Sequence, residues 1–162
     1  SDTAVDLHSY LIKNLLQHPK QYNALMADET LVQGAISETL RYESSGKTGL
    51  ARYASEDLEI QGHQIKKGQM VQLITSTAGM DPLIYHDPRT FDIKRDHDKS
   101  ISFGQGPHYC IGVTLVRSQT EVMLKELFKR FPNLSLGDDV VYDYDHHNAR
   151  RMDVMTVKTN IN

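Results

Sequence analysis

The segment FGQGPHYCIG, residues 103–112, restricts the fold more than any other part of the chain. It holds three glycines, one proline and the only cysteine, Cys110. Apolar residues recur at helical spacing directly after it, so the sequence predicts that Cys110 lies in a loop just before a helix. A helix N-terminus favours a thiolate there, because its unpaired N–H groups carry partial positive charge.

Three roles for Cys110 are compatible with this pattern. The thiol can be a buried structural group, a nucleophile beside a base, or a thiolate ligand of iron. Glycines at 104, 106 and 112 allow the backbone to pass close to a bulky, flat group and leave N–H groups for the sulfur. Zinc is disfavoured because the chain has no second cysteine. The residues alone leave the three roles open.

Composition narrows the class of protein. The length of 162 residues is typical of one domain, and the net charge of -3 without a long basic run argues against a nucleic-acid partner. No apolar stretch reaches the roughly 20 residues of a membrane helix, so no membrane partner is expected. A lone cysteine cannot form an internal disulfide, and the first residues do not resemble a secretory signal. We therefore expect a cytoplasmic protein.

Hydrophobic periodicity predicts a mainly α fold with a small antiparallel β region. Apolar residues at helical spacing predict four helices, at 3–17, 19–26, 28–46 and 113–131, the last of them largely buried. Short β-rich pieces within 50–77 predict a small antiparallel sheet, and 80–100 reads as an ordered meander. The segments LSL and MDVMTVKT predict paired terminal strands around a polar loop.

The cysteine loop resembles the haem-binding loop of the cytochrome P450 family, whose soluble microbial members show the pattern F-G-x-G-x-H-x-C-x-G. All six fixed positions match. The resemblance implies haem b with Cys110 as the axial iron ligand and Phe103 packed beside the sulfur. It also implies close approach of the haem at the three glycines, Gly104, Gly106 and Gly112, and a propionate contact from His108.

Other segments agree with this resemblance, in the family's order. Glu38 and Arg41 in ETLR are similar to the family's E-x-x-R pair, which supports the loop, and Arg52 matches an arginine that reaches a haem propionate. Asp2 and Thr3 match an acid-alcohol pair that relays protons toward dioxygen, although SDT is also a typical helix cap. The family commonly has an arginine at the position of Thr90.

The resemblance covers the whole chain but corresponds only to the C-terminal part of the cytochrome P450 fold. Residues 1–162 are thus expected to form a single partial haem-binding domain, with the N-terminal portion of the same domain as a partner. The implied activity is insertion of one oxygen atom from O2 into a small organic substrate, with electrons from a ferredoxin or flavoprotein reductase. This portion alone is expected to be inactive. A peroxide-using or isomerising haem-thiolate enzyme and a non-catalytic interaction or assembly module are the alternatives.

Overall fold

Helices dominate the computed structural model, which describes residues 2–44, 46, 49–145 and 149–159. The helices within these residues are α1 (Asp2–Gln17), α2 (Pro19–Ala27), α3 (Val32–Tyr42), α4 (Thr75–Ala78) and α5 (Val113–Arg130). The strands are β1 (Leu50–Tyr53), β2 (Leu58–Ile60), β3 (His63–Ile65), β4 (Met70–Leu73), β5 (Ser135–Asp143) and β6 (Arg151–Lys158). This confirms the predicted fold class, mainly α with a small antiparallel β region.

The core lies where α1, α2, α3 and α5 meet. Leu11 and Leu15 of α1 are fully buried, together with Ile36 of α3 and Leu124 of α5. These positions follow the 3.6-residue period that places one apolar face of each helix inward. The apolar period in the sequence therefore predicted these helices, and residues from all four of them form the core.

A partly buried hydrogen bond joins α1 to α5. His8 Nε2 lies 2.9 Å from Thr120 Oγ1. The Thr120 hydroxyl donates to the carbonyl oxygen of Val116 at 2.6 Å, so its oxygen accepts from the imidazole, whose proton is on Nε2. Burial lowers the pKa of His8, because desolvation disfavours the charged ring.

The β region consists of three two-stranded antiparallel sheets within the described residues: β1 with β4, β2 with β3, and β5 with β6. The predicted single sheet at 50–77 is thus two separate pairs, and α4 follows them. The terminal hairpin is longer than predicted, since β5 continues through Asp138 and Asp139. Both residues lie in the register shift between Leu136 and Val140, where Asp139 N donates to Thr156 Oγ1 at 3.1 Å.

A buried polar cluster attaches the terminal hairpin to α1. Lys13 pairs with Glu43 and donates to the Tyr142 hydroxyl at 2.9 Å. Arg150 reaches Glu43 at 3.3 Å, while the Tyr10 hydroxyl donates to the carbonyl oxygen of Arg150 at 2.8 Å. Both cations therefore share one carboxylate, and this arrangement fixes the base of the hairpin against the helix.

Helix α5 is less buried than its sequence predicts. Thr120, Leu124 and Phe128 are buried, but Leu115 and Val122 are each 63% exposed. Periodicity shows which residues share a face, whereas burial depends on whether another element covers that face. The prediction of a largely buried helix was wrong at these two positions. Neither α5 nor another helix in the described ranges is long and apolar enough to cross a membrane.

Candidate functional site

The cysteine loop is closed by backbone hydrogen bonds. Cys110 N donates to the carbonyl oxygen of Phe103 at 3.0 Å, and Tyr109 N donates to that of Gly106 at 3.0 Å. Residues Gly106–His108 form a 3-10 turn, and α5 begins at Val113. The loop therefore returns on itself and presents Cys110 just before the N-terminus of a long helix, where the sequence predicts it.

Two of the loop glycines require backbone conformations that other residues rarely adopt. Gly104 has φ of 76° and Gly106 has φ of 72°. A Cβ added at Gly106 would meet no atom within 4 Å, and one added at Gly112 would lie 3.8 Å from Cys110 Sγ. The backbone is therefore open at Gly106, and a side chain at Gly112 would be in ordinary van der Waals contact with the sulfur.

Cys110 is a free, exposed thiol. Its neighbour Ile111 is fully exposed, and Tyr109 and Leu115 also present apolar surface to solvent. Within the part of the chain that the structure describes, no group of three or more His, Cys, Asp or Glu residues could hold a metal ion. Cys110 therefore supplies one possible metal ligand and not a complete protein metal site.

Glu38 and Arg41 form a fully buried ion pair on α3. Arg41 Nε and Nη2 each lie 2.7 Å from one carboxylate oxygen of Glu38, and neither side chain is exposed. The spacing i, i+3 places both side chains on one face of the helix. Two parallel charge-assisted hydrogen bonds are the strongest geometry available to this pair.

Arg41 also holds the segment that leads to the cysteine loop. Its guanidinium donates to the carbonyl oxygens of Gly79 at 2.7 Å, Pro88 at 2.7 Å and Thr90 at 3.1 Å. The meander, defined as residues 79–102, has no helix or strand, so these bonds replace a regular ladder. Glu38 adds a further bond, because its Oε1 accepts from Asp92 N at 2.8 Å.

Arg95 supplies a second cation to Glu38, which the sequence did not reveal. Its Nε lies 3.4 Å from Glu38 Oε1, and its Nη2 donates to the carbonyl oxygen of Thr90 at 3.1 Å. The carbonyl oxygen of Thr90 therefore accepts hydrogen bonds from both Arg41 and Arg95. The sequence signal was a second arginine shortly after Phe91, but its spacing differs from the position at which the family commonly has one.

His97 lies on the remaining side of the Glu38 carboxylate. Its Nε2 is 3.6 Å from Glu38 Oε2, beyond hydrogen-bond range, and neither ring nitrogen has a hydrogen-bond partner among the described residues. Desolvation lowers the pKa of His97, and Arg41 and Arg95 act in the same direction, against the carboxylate of Glu38 and that of Asp96.

The other predicted site residues lie on separate elements. Arg52 is on β1, exposed, and donates to the carbonyl oxygen of Ala51 at 2.8 Å. His108 ends the 3-10 turn and is exposed. Thr3 is exposed near the start of α1; Asp2 begins that helix, but its side chain lies outside the described residues. Within the part that is described, no hydrogen bond joins Arg52 or His108 to Cys110.

The chain matches the family model described as Cytochrome P450 over residues 12–155. It belongs to the cytochrome P450 family. Its curated relatives include the epothilone C/D epoxidase of Sorangium cellulosum, 35% identical over 97% of this chain and 37% of that protein. The vitamin D3 dihydroxylase of Streptomyces griseolus is 40% identical over 84% of this chain and 34% of that protein. The chain therefore spans about a third of the length of these P450 relatives.

Solved P450 structures contain the same arrangement of elements. The epothilone D-bound cytochrome P450epoK superposes with a TM-score of 0.92 at 35% identity, covering 99% of this chain and 40% of that one. A P450 in complex with an acyl carrier protein ligated to hexadec-9Z-enoic acid gives 0.89 at 37% identity, covering 96% and 40%. The five helices and three small sheets described above are thus a portion of the P450 fold.

Proposed function

We propose that this chain is the thiolate-bearing part of a haem-thiolate monooxygenase. The observation that carries the proposal is an exposed Cys110 in a closed glycine loop directly before α5. The residues present fit a haem, because the sulfur donor is exposed, a Cβ added at Gly106 of the same loop would meet no atom within 4 Å, and the neighbouring Tyr109 and Ile111 expose apolar surface. A buried structural thiol does not explain the exposure of Cys110.

Each loop residue has a separate task in this proposal. Cys110 would hold the iron of haem b through its sulfur, and Phe103 would pack beside that sulfur. Gly104, Gly106 and Gly112 keep the backbone clear of the macrocycle, since a side chain there would occupy its space. A haem bound through thiolate supplies O2 activation, with the sulfur donating electron density to the iron.

Cationic and acidic side chains complete the proposed site. Arg52 and His108 are exposed, so their side chains are available to neutralise the haem propionates. Thr3, exposed on α1, orders a water molecule near the substrate, and Asp2 connects it to bulk protons. Glu38 and Arg41 support the loop from beneath, through the meander. The acid-alcohol pair favours O2 over peroxide as oxidant.

The proposed reaction inserts one oxygen atom from O2 into a small organic substrate, in the cytoplasm, with electrons from a ferredoxin or flavoprotein reductase. The remaining portion of the P450 domain is a further partner in this proposal, because exposed Ile111, Leu115 and Leu83 present apolar surface that a complete domain would cover. We expect residues 1–162 to be inactive without the remaining portion of the domain. A non-catalytic assembly module is the second candidate, and the same apolar surface favours it.

The ferrous carbonyl spectrum tests the proposal. Haem is added to the chain together with the complementary portion of a P450 domain, and the protein is reduced under carbon monoxide. We expect the red-shifted Soret band of a thiolate-ligated haem, its loss in Cys110→Ser, and its retention in Tyr109→Phe, a matched change in the same loop. A band that persists in Cys110→Ser refutes the ligand assignment. Association of the two portions without any such band supports the assembly module.

A further inference from the structure

We propose that Arg117 is a positioning residue for the cysteine loop and that it acts through Phe103. The inference rests on the proposed function only for the role of Cys110 as a haem ligand; the geometry of the loop is independent of it. Arg117 lies on α5, two turns after the cysteine, and the haem-binding pattern does not include it.

The guanidinium of Arg117 is fixed by α3. Its Nη2 donates to Ser37 Oγ at 3.0 Å, and its Nη1 donates to Gln33 Oε1 at 3.0 Å and to the Gln33 carbonyl oxygen at 3.4 Å. Ser37 is buried and immediately precedes Glu38 in the chain. Acceptors one turn apart on a single helix therefore set the plane of the cation.

The same cation lies over the ring of Phe103, with Cζ 5.3 Å from the ring centroid. This distance is within the range of a cation-π contact. Phe103 in turn makes two contacts with the end of the loop: its carbonyl oxygen accepts from Cys110 N at 3.0 Å, and its ring lies edge-to-face against Tyr109 at 6.4 Å. A displaced Phe103 therefore moves the acceptor of the Cys110 amide.

The arrangement differs from that of an ordinary surface arginine. Arg130, on the same helix, pairs at 3.3 Å with Glu126 of its own helix, and its side chain is 70% exposed. Arg117 instead connects three parts of the chain: α5, α3 and the cysteine loop. Arg130 is therefore the matched control for a change of arginine on α5.

Amide hydrogen exchange at Cys110 in the full chain, without added haem, is the first test. Arg117→Lys keeps the charge but loses the planar, two-pronged geometry, so we expect exchange to be about five- to tenfold faster. Ser37→Ala should act in the same direction with a smaller change. Arg130→Lys should change exchange less than twofold. Equal exchange in Arg117→Lys and Arg130→Lys, with unchanged far-ultraviolet circular dichroism, overturns the proposal.

A double-mutant cycle tests whether Arg117 acts through Phe103. In a Phe103→Leu background, Arg117→Lys should change exchange less than twofold, because the contact that transmits the effect is already gone. Additive effects of the two substitutions refute transmission through the ring. A fold that is lost in Arg117→Lys but kept in Arg117→Met also refutes a positioning role, since packing alone would then explain the residue.

The haem-loaded protein provides a readout that separates this proposal from the proposed function. With the complementary portion present, Arg117→Lys should shift the haem reduction potential and lower the fraction with a thiolate-type carbonyl band, while Arg130→Lys should do neither. If Cys110→Ser keeps the band, the haem-ligand assignment fails, yet the exchange result still decides the role of Arg117. A normal band and potential in Arg117→Lys overturn its effect on the ligand.

Discussion

Replacing Glu38 by glutamine should remove a large part of the stability of this domain. The substitution keeps the shape of the side chain but removes its charge, and it places an amide group against the donors of Arg41. Arg41 is fully buried, so its cation then lacks the carboxylate that compensates it. Breaking a buried pair in this way costs about 3–5 kcal/mol, whereas whole domains are stable by only about 5–15 kcal/mol.

Several contacts of Glu38 and Arg41 depend on this charge at once. Arg41 still donates to the carbonyl oxygens of Gly79 and Pro88 in the variant, and these bonds compensate part of the cost of burying its cation. Arg95 also loses a charged partner, since its Nε lies 3.4 Å from the same carboxylate. We therefore expect a cost near the middle of the range, roughly 4 kcal/mol.

Urea unfolding followed by circular dichroism measures the effect. With a slope of about 2 kcal/mol per molar urea, typical of a domain of this size, the midpoint should fall by about 2 M. Glu126→Gln is the matched control, because Glu126 pairs with Arg130 at 3.3 Å on an exposed helix face. That change should cost less than about 1 kcal/mol. Equal midpoint shifts in the two variants would refute the reasoning.

Two further predictions concern pH and close packing. His97 and His8 have lowered pKa values, so the unfolded chain binds more protons below the ordinary value of about 6.5. The contribution of these histidines to stability should therefore be complete above that pH and should fall as the pH drops. Between about pH 7.5 and 5.5, the urea midpoint of His97→Gln should fall less than that of the wild type. The midpoint of the exposed control, His63→Gln, should fall as much as that of the wild type. Gly34→Ala should lower the melting temperature, since its Cβ would overlap the carbonyl oxygen of Ile93, at a cost of about 1–3 kcal/mol; an unchanged temperature would contradict this packing.

Local patterns in the sequence predicted the helical part of the fold. The ends of α1 and α2 follow from their apolar period and from Pro19, which suits a first helical turn. The terminal strand was predicted only at LSL, and its extension through Asp138 was missed, because this part lies at an irregularity in the pairing with β6 that composition does not indicate. Burial at Leu115 was also wrong, since no periodicity shows which elements cover a helix face.

The candidate site shows the same division. The loop around Cys110 was predicted because its ten residues contain both the candidate ligand and the glycines that the turns require. Arg95 and His97 were missed because their role depends on where the meander returns to Glu38, which only the tertiary structure specifies. Arg117 was missed for a similar reason: its partners Gln33 and Ser37 are 84 and 80 residues away in the chain.

The dependence of the meander on Arg41 has a consequence for how the domain opens. Arg41 connects three carbonyl oxygens of this segment to α3, so local opening of the segment and of the end of α3 should be coupled. Arg89, Lys94 and Lys99 are exposed along this segment and are trypsin sites. The rate of cleavage there would depend on the population of the open form, and so on the Glu38–Arg41 ion pair, which is distant in the chain.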